Sequence, residues 1–174
     1  MHRIAVIDYG MGNLRSVSKA LEAVSSNASV VVTSDPKTIL SASHVLFPGV
    51  GAIRDCMAEL KQLELEDVIL QATQEKPFLG ICLGMQALLS HSEENSGVDT
   101  LNLFSGSVKL FRPDASVNGE KLKVPHMGWN QVHQTCSHPL WKNIEQNSRF
   151  YFVHSFYAEP TDKAVIAGTS AYPD

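Results

Sequence analysis

The 174-residue chain lacks most of the features that would place it in a specialised class. It has no basic run. Lys and Arg number 14 against 18 Asp and Glu, a net charge of −4, so a nucleic-acid partner is not expected. No apolar stretch reaches the length a membrane-spanning helix needs, and Ile4-Ala5-Val6-Ile7 reads as a strand, so neither a span nor a secretory leader is expected. The three cysteines, Cys56, Cys82 and Cys136, form no C-x-x-C pair and no even set. That pattern argues against a disulfide framework and a zinc site, and for a reducing, cytoplasmic setting. His133 and His138 sit in a loop-like stretch ending at Pro139 and are not expected to hold a metal. Repeats, linkers and low-complexity segments are also missing, which implies one domain over residues 1–174.

What is present is an ordinary core-forming composition, with 44% hydrophobic residues and a mean hydropathy of −0.05. The first two-thirds alternates strand and helix signals. Ile4–Ile7, Val30–Val32 and Val45–Phe47 read as strands. Leu14, Val17, Leu21 and Val24 recur at helical spacing, and Asp35-Pro36 reads as an N-cap and first residue of a short helix to about Ala42. Residues 52–74 read as helix broken near Leu63. The last third offers strand candidates without long helices: Val108–Phe111, Lys123-Val124, Trp129–Val132, Phe150–Val153 and Val165–Thr169, with Asn118-Gly119 as a turn. The expected fold is α/β, a three-layer, mainly parallel sheet with helices on both faces and antiparallel additions.

Chemistry concentrates at Gly80-Ile81-Cys82-Leu83-Gly84-Met85-Gln86. A strand over Phe78–Ile81, a tight turn and a helix from Gly84 to about Ser90 would form a nucleophile elbow, with Cys82 between two glycines. There the thiol sits at a helix start, and the Leu83 amide faces an oxyanion formed on an attacked carbonyl. The alternative is a structural Cys in a Gly-containing turn. Pro48-Gly49-Val50-Gly51 ends another strand of the same sheet and offers a second oxyanion donor. Gln86 follows one helical turn after Cys82. Glu93 and Glu94 lie in a polar loop, His91–Gly97, as holders of an amino-acid substrate or as solvated charges. Gly10-Met11-Gly12 is not a dinucleotide fingerprint, because Arg15 stands where the third glycine belongs; no cofactor is expected.

The elbow heptapeptide resembles the nucleophile signature of class I (triad-type) glutamine amidotransferases. Four further motifs agree in order: Asp8–Leu14, Pro48–Gly51, Pro125-His126-Met127-Gly128-Trp129-Asn130 and Tyr151-Phe152-Val153-His154-Ser155. Within that family they are similar to glutaminase subunits serving a cyclase that makes imidazole glycerol phosphate in histidine biosynthesis. The resemblance implies that Cys82 forms a glutamyl thioester and releases ammonia. It implies an oxyanion hole from Val50, Gly51 and Leu83, and glutamine held by Gln86, Glu94 and Ser155. It also implies a heterodimer with a (β/α)8-barrel cyclase that receives the ammonia, with Asn13, His126, Trp129 and Tyr151 near the interface. The family's base is a His followed two residues later by Glu. No such run occurs up to Asp174, and the expectation is that it lies beyond this residue, the domain lacking its C-terminal end and this form being inactive as given. His154 is read as structural or substrate-side, Phe156 stands where Tyr is expected, and Cys56 and Cys136 are expected to be inert. The competing readings are a stand-alone thiol glutaminase or hydrolase of the same superfamily, and a non-catalytic docking subunit.

Overall fold

The computed structural model describes residues 2–112, 116–117, 120–121 and 123–172. The chain divides into two compact units, Met1–Phe104 and Ser105–Asp174. In the first, β1 (His2–Ile7), β2 (Ala28–Thr33), β3 (His44–Phe47) and β4 (Phe78–Gly80) form a parallel sheet in the order β2-β1-β3-β4. The chain steps from β1 to β2 in one direction, then back past β1 to β3 and on to β4. Right-handed crossovers therefore put α1 (Leu14–Val24) on one face and α2 (Pro36–Ser41), α3 (Ile53–Gln62) and α4 (Glu66–Glu75) on the other. This is the three-layer arrangement expected.

Register sets which side chains meet. Ala5 lies beside Val31 and Val45, and Val45 beside Phe78. Ala5, Ile7, Val45 and Phe47 thus share a face, and they pack with Ile39, Ile53, Cys56, Leu60, Leu65 and Ile69 in one core. Burying each large aliphatic side chain there contributes about 1.5–3 kcal/mol.

Local chemistry places the helices. Asn13 caps α1 by accepting from Ser16 N–H, and Asp35 caps α2 from Thr38 N–H with Pro36 at the first position, as the dipeptide predicts. The break between α3 and α4 is a Schellman turn. Glu64 adopts φ 55°, its N–H donates to Lys61 O, and Leu65 N–H donates to Leu60 O at 2.9 Å. On α1, Leu14, Val17 and Leu21 are half-buried, but Val24, at the last position, is 82% exposed.

Several expectations need correction. The helix after the elbow, α5, spans only Leu83–Gln86, and residues expected to extend it form β5 (Leu89–Ser92). The returning chain takes their backbone groups: Leu101 N–H bonds Ala87 O, and Asn102 N–H bonds Leu89 O. The expected polar loop is partly ordered, since His91 and Ser92 pair with β6 (Val98–Asp99) across a 3-10 turn at Glu94–Ser96.

The second unit is antiparallel, as expected. It holds the part of β7 (Phe104–Leu110) from Ser105 onward. β8 (Ser116–Val117) pairs with β9 (Glu120–Lys121), and the expected turn at Asn118-Gly119 lies outside the described residues. β10 (His126–Gln131) pairs with β12 (Arg149–His154), β11 (His133–Gln134) with β14 (Gly168–Thr169), and β13 (Phe156–Pro160) with β7. β13 was not legible in the sequence. Lys123-Val124 is not a strand; Pro125 offers no N–H to a ladder, and pairing starts only at His126. Of Val165–Thr169, only Gly168 and Thr169 are paired, after a 3-10 turn at Lys163–Val165.

Two substitutions test this packing. Leu60→Ala, at a fully buried site, should lower the free energy of unfolding by about 2–5 kcal/mol, measured by urea titration. Gly84→Ala should be worse, because its Cβ would stand 2.0 Å from Phe47 O. Backbone has to move there, and soluble, cooperatively unfolding protein is not expected.

Candidate active site

The carboxyl ends of β1, β3 and β4 converge on one site. The strand order reverses between β1 and β3, the switch point where ligands bind in open α/β sheets. β4 delivers the elbow. Ile81 N–H donates to Phe47 O at 3.0 Å, which fastens the chain to β3 just before it turns. Cys82 then takes φ 54° and ψ −116°, a backbone conformation costing on the order of 1–3 kcal/mol for a non-glycine residue. Gly84 N–H returns to Ile81 O, and the Met85 and Gln86 N–H groups both reach Cys82 O at 3.0 Å. The Leu83 N–H, at the first helical position, has no intrahelical acceptor.

The flanking glycines have steric causes. A Cβ on Gly80 would meet Gly84 O at 2.9 Å and the Met85 backbone, and one on Gly84 would strike Phe47 O. Main chain thus passes main chain on both sides of Cys82, whose side chain is exposed.

The turn Pro48–Ala52 lies against the elbow. A Cβ on Gly49 would stand 2.7 Å from both Gly84 N and the Leu83 side chain, and 2.8 Å from Tyr9 Oη. Gly51 has φ 95° and faces Met11 from the loop after β1. Among the described residues, no protein acceptor takes the Val50, Gly51 or Leu83 N–H.

Gln86 is buried on the elbow helix. Glu94 takes part in a contact the sequence did not reveal: its Oε2 accepts from Ile53 N–H at 3.1 Å, capping the α3 N-terminus directly after the Pro48–Ala52 turn. Arg54 donates to Asn95 O beside it. Asn13 is exposed, as the cap of α1. Tyr9 was also missed. Fully buried, it donates its hydroxyl to Pro48 O at 3.0 Å. An aromatic residue after a first strand carries no sequence signal for that bond. Burial, with Cys56 and Cys82 nearby, pushes the Tyr9 phenol far above its ordinary range; burial also raises the Cys56 thiol to about 11. Cys56 is thus a fully buried thiol held away from its thiolate form.

In the second unit, His126 and His154 face each other across β10 and β12, with His126 Nδ1 and His154 Nε2 at 2.9 Å. His154 Nδ1–H must donate to Phe156 O at 2.9 Å, since a carbonyl only accepts. Both nitrogens of His154 are thereby occupied, which supports a structural part for this ring. His126 is 5% exposed and stacks on Tyr172 with ring centroids 3.8 Å apart. Ser155 is half-buried, and its carbonyl accepts from Phe111 N–H. The register pairs Met127 with Val153 and Trp129 with Tyr151. These four side chains share one face of the two-stranded sheet and are each more than half exposed. Among the described residues, no group of three His, Cys, Asp or Glu converges as metal ligands, and no helix is long and apolar enough to cross a membrane.

Comparison with known proteins agrees with this geometry. The family glutamine amidotransferase class-I matches residues 5–173. The imidazole glycerol phosphate synthase subunit HisH of Pseudomonas syringae pv. syringae (strain B728a) is 55% identical over 172 residues, covering 99% of this chain and 81% of that protein. The HisH subunit of Methylococcus capsulatus (strain Bath) is 58% identical over 176 residues with the same coverage. Two solved structures share the fold at low identity. A putative GMP synthase protein from Thermoplasma acidophilum has TM-score 0.66 at 19% identity, over 98% of this chain and 74% of that one. PurLQS from Thermotoga maritima has TM-score 0.66 at 17% identity, over 97% and 74%. With the elbow in place and the family matched across nearly the whole chain, this protein belongs to the class I glutamine amidotransferases, among the imidazole glycerol phosphate synthase HisH subunits.

Proposed function

We propose that Cys82 is the nucleophile of a glutaminase whose ammonia is passed to a cyclase making imidazole glycerol phosphate in histidine biosynthesis. The observation that carries this reading is Cys82 at φ 54°, ψ −116°, exposed in an elbow that abuts a turn with free amides. The Cys82 sulfur attacks Cδ of the glutamine side chain. As the tetrahedral intermediate collapses, the C–N bond breaks and the nitrogen leaves as ammonia with a proton from the general acid. Water then cleaves the thioester, giving glutamate and restoring the thiol. The Leu83, Val50 and Gly51 amides hold the negative oxygen. Gln86, Glu94 and Ser155 hold the glutamine. For Glu94, Oε2 is engaged by the α3 N-terminus, which leaves Oε1 for the substrate ammonium.

The partner is a (β/α)8-barrel cyclase in a heterodimer, working in the cytoplasm. The face carrying Met127, Trp129, Tyr151 and Val153 suits it: four exposed apolar side chains, with the Trp129 and Tyr151 rings in edge contact at 5.6 Å. Large aromatics of this kind act as anchors at interfaces. Asn13 and His126 are placed with this interface by their motifs.

Four outcomes test the proposal. Glutamate release from glutamine by a chain extended to the relatives' length, measured with the cyclase partner and its nucleotide ligand present, should fall at least about a thousandfold in Cys82→Ala. The 174-residue chain, assayed beside it, identifies the base. Activity confined to the longer chain assigns the base to a His-x-Glu pair past residue 174; equal activity in both, lost in His154→Ala, assigns it to His154. A glutamine-like chloroketone should label Cys82 and spare Cys56 and Cys136, read by peptide mass mapping; labelling of none of the three would favour a docking subunit. Trp129→Ala should weaken cyclase binding by roughly 2 kcal/mol or more in a titration, with little change in the melting temperature of the free chain.

A further inference from the structure

The Pro48–Ala52 turn has to aim two amides, yet glycines make up two of its five residues and its tip is exposed. Something else has to set its orientation. At the far end, Glu94 caps Ile53 N–H. At the near end, the fully buried Tyr9 hydroxyl donates to Pro48 O. The same phenol oxygen lies 2.8 Å from where a Gly49 Cβ would stand, a position that also abuts Leu83 and Gly84.

We propose that Tyr9 is a positioning residue for the reaction: its hydroxyl, by holding the Pro48 carbonyl, fixes the Pro48–Gly49 peptide plane and so aims the Val50 and Gly51 amides at the oxyanion. This rests on the thiol-glutaminase reading above. The peptide is planar, so holding its C=O end fixes the Gly49 N–H and Cα from which the turn departs, and with Ile53 N–H held by Glu94 the short segment between is anchored at both ends. Pro48 and Gly49 are both buried, and water cannot readily replace the phenol as donor. The Tyr9 ring is itself held, packed edge-on to Phe47 at 5.4 Å. Burial keeps the phenol protonated and therefore a donor. Tyr9 touches neither substrate nor thiolate in this scheme. It acts through the turn, and errors of about 1 Å in such placement cost roughly a hundredfold in rate.

The test separates aiming from stability and needs no turnover. Glutamate γ-semialdehyde forms a hemithioacetal with a thiol: the sulfur–carbon bond forms, the carbonyl π bond opens, and the thiol proton ends on the new oxygen or in solvent. That oxygen occupies the oxyanion position, whereas L-glutamate binds the same pocket without a tetrahedral centre. Affinities for both are measured on the full chain, on Tyr9→Phe, and on Ile69→Val as a core substitution remote from the turn. Tyr9→Phe should bind the aldehyde about tenfold or more weakly, with glutamate affinity within about twofold of the parent. Ile69→Val should change neither affinity. Equal aldehyde binding in Tyr9→Phe and parent, or parallel losses for aldehyde and glutamate, would overturn the inference. If Cys82→Ala binds the aldehyde as tightly as the parent, the thiol-glutaminase reading itself fails, and this inference with it. Should Tyr9→Phe not fold, a chain made with 3-fluorotyrosine keeps the shape and strengthens the donor; unchanged aldehyde affinity there would likewise overturn it.

Discussion

The carbonyl of Phe47 is the contact on which the active region depends. It accepts from Ile81 N–H and lies directly over Gly84, with no room for a single carbon between. A strand end, an elbow and a helix start are thereby pressed together, backbone to backbone. The strain at Cys82 is sustained because the surroundings over-determine it: Gly80 and Gly84 are fixed by contact, and Cys82 O is held by two N–H groups of the following turn. Replace any of these contacts with a side chain and the thiol is no longer presented at the turn's apex.

Around this contact the Pro48–Ala52 turn is held from both sides. Tyr9 holds its entry and Glu94 its exit, one by a phenol and one by a carboxylate. Neither group belongs to β3 or α3, the elements the turn joins. Tyr9 comes from the β1 loop and Glu94 from beyond β5, so the turn is shaped by long-range contacts more than by its own sequence. That explains how a glycine-rich segment, flexible in isolation, has one orientation in the folded chain.

Much of the architecture could be read in the chain. Asp35-Pro36 predicted the start of α2, the apolar spacing predicted α1, and the break near Leu63 corresponds to a Schellman turn at Glu64. The misreadings have a common origin. α5 was extended because Ala87-Leu88-Leu89 is apolar and compatible with helix, but the returning segment 100–104 captures those backbone groups. β13 went unseen because Phe156–Pro160 ends in Pro and its pairing partner is β7, far away in sequence. In each case a long-range backbone pairing decided between conformations that were locally near-equivalent.

The amino-acid sequence by itself determined the elbow, because glycines two residues either side of Cys82 permit a backbone crossing that no other residue permits. It likewise carried the alternation of strands and helices and the motifs shared with the amidotransferase family. Only the tertiary structure decided that Glu94 caps α3, that both nitrogens of His154 are engaged, and that the buried Tyr9 hydroxyl holds Pro48. The physical reason is one of range. Backbone conformation and helix caps depend on neighbours a few residues away, while a hydrogen bond across 28 to 41 residues exists only after the sheet has set its register.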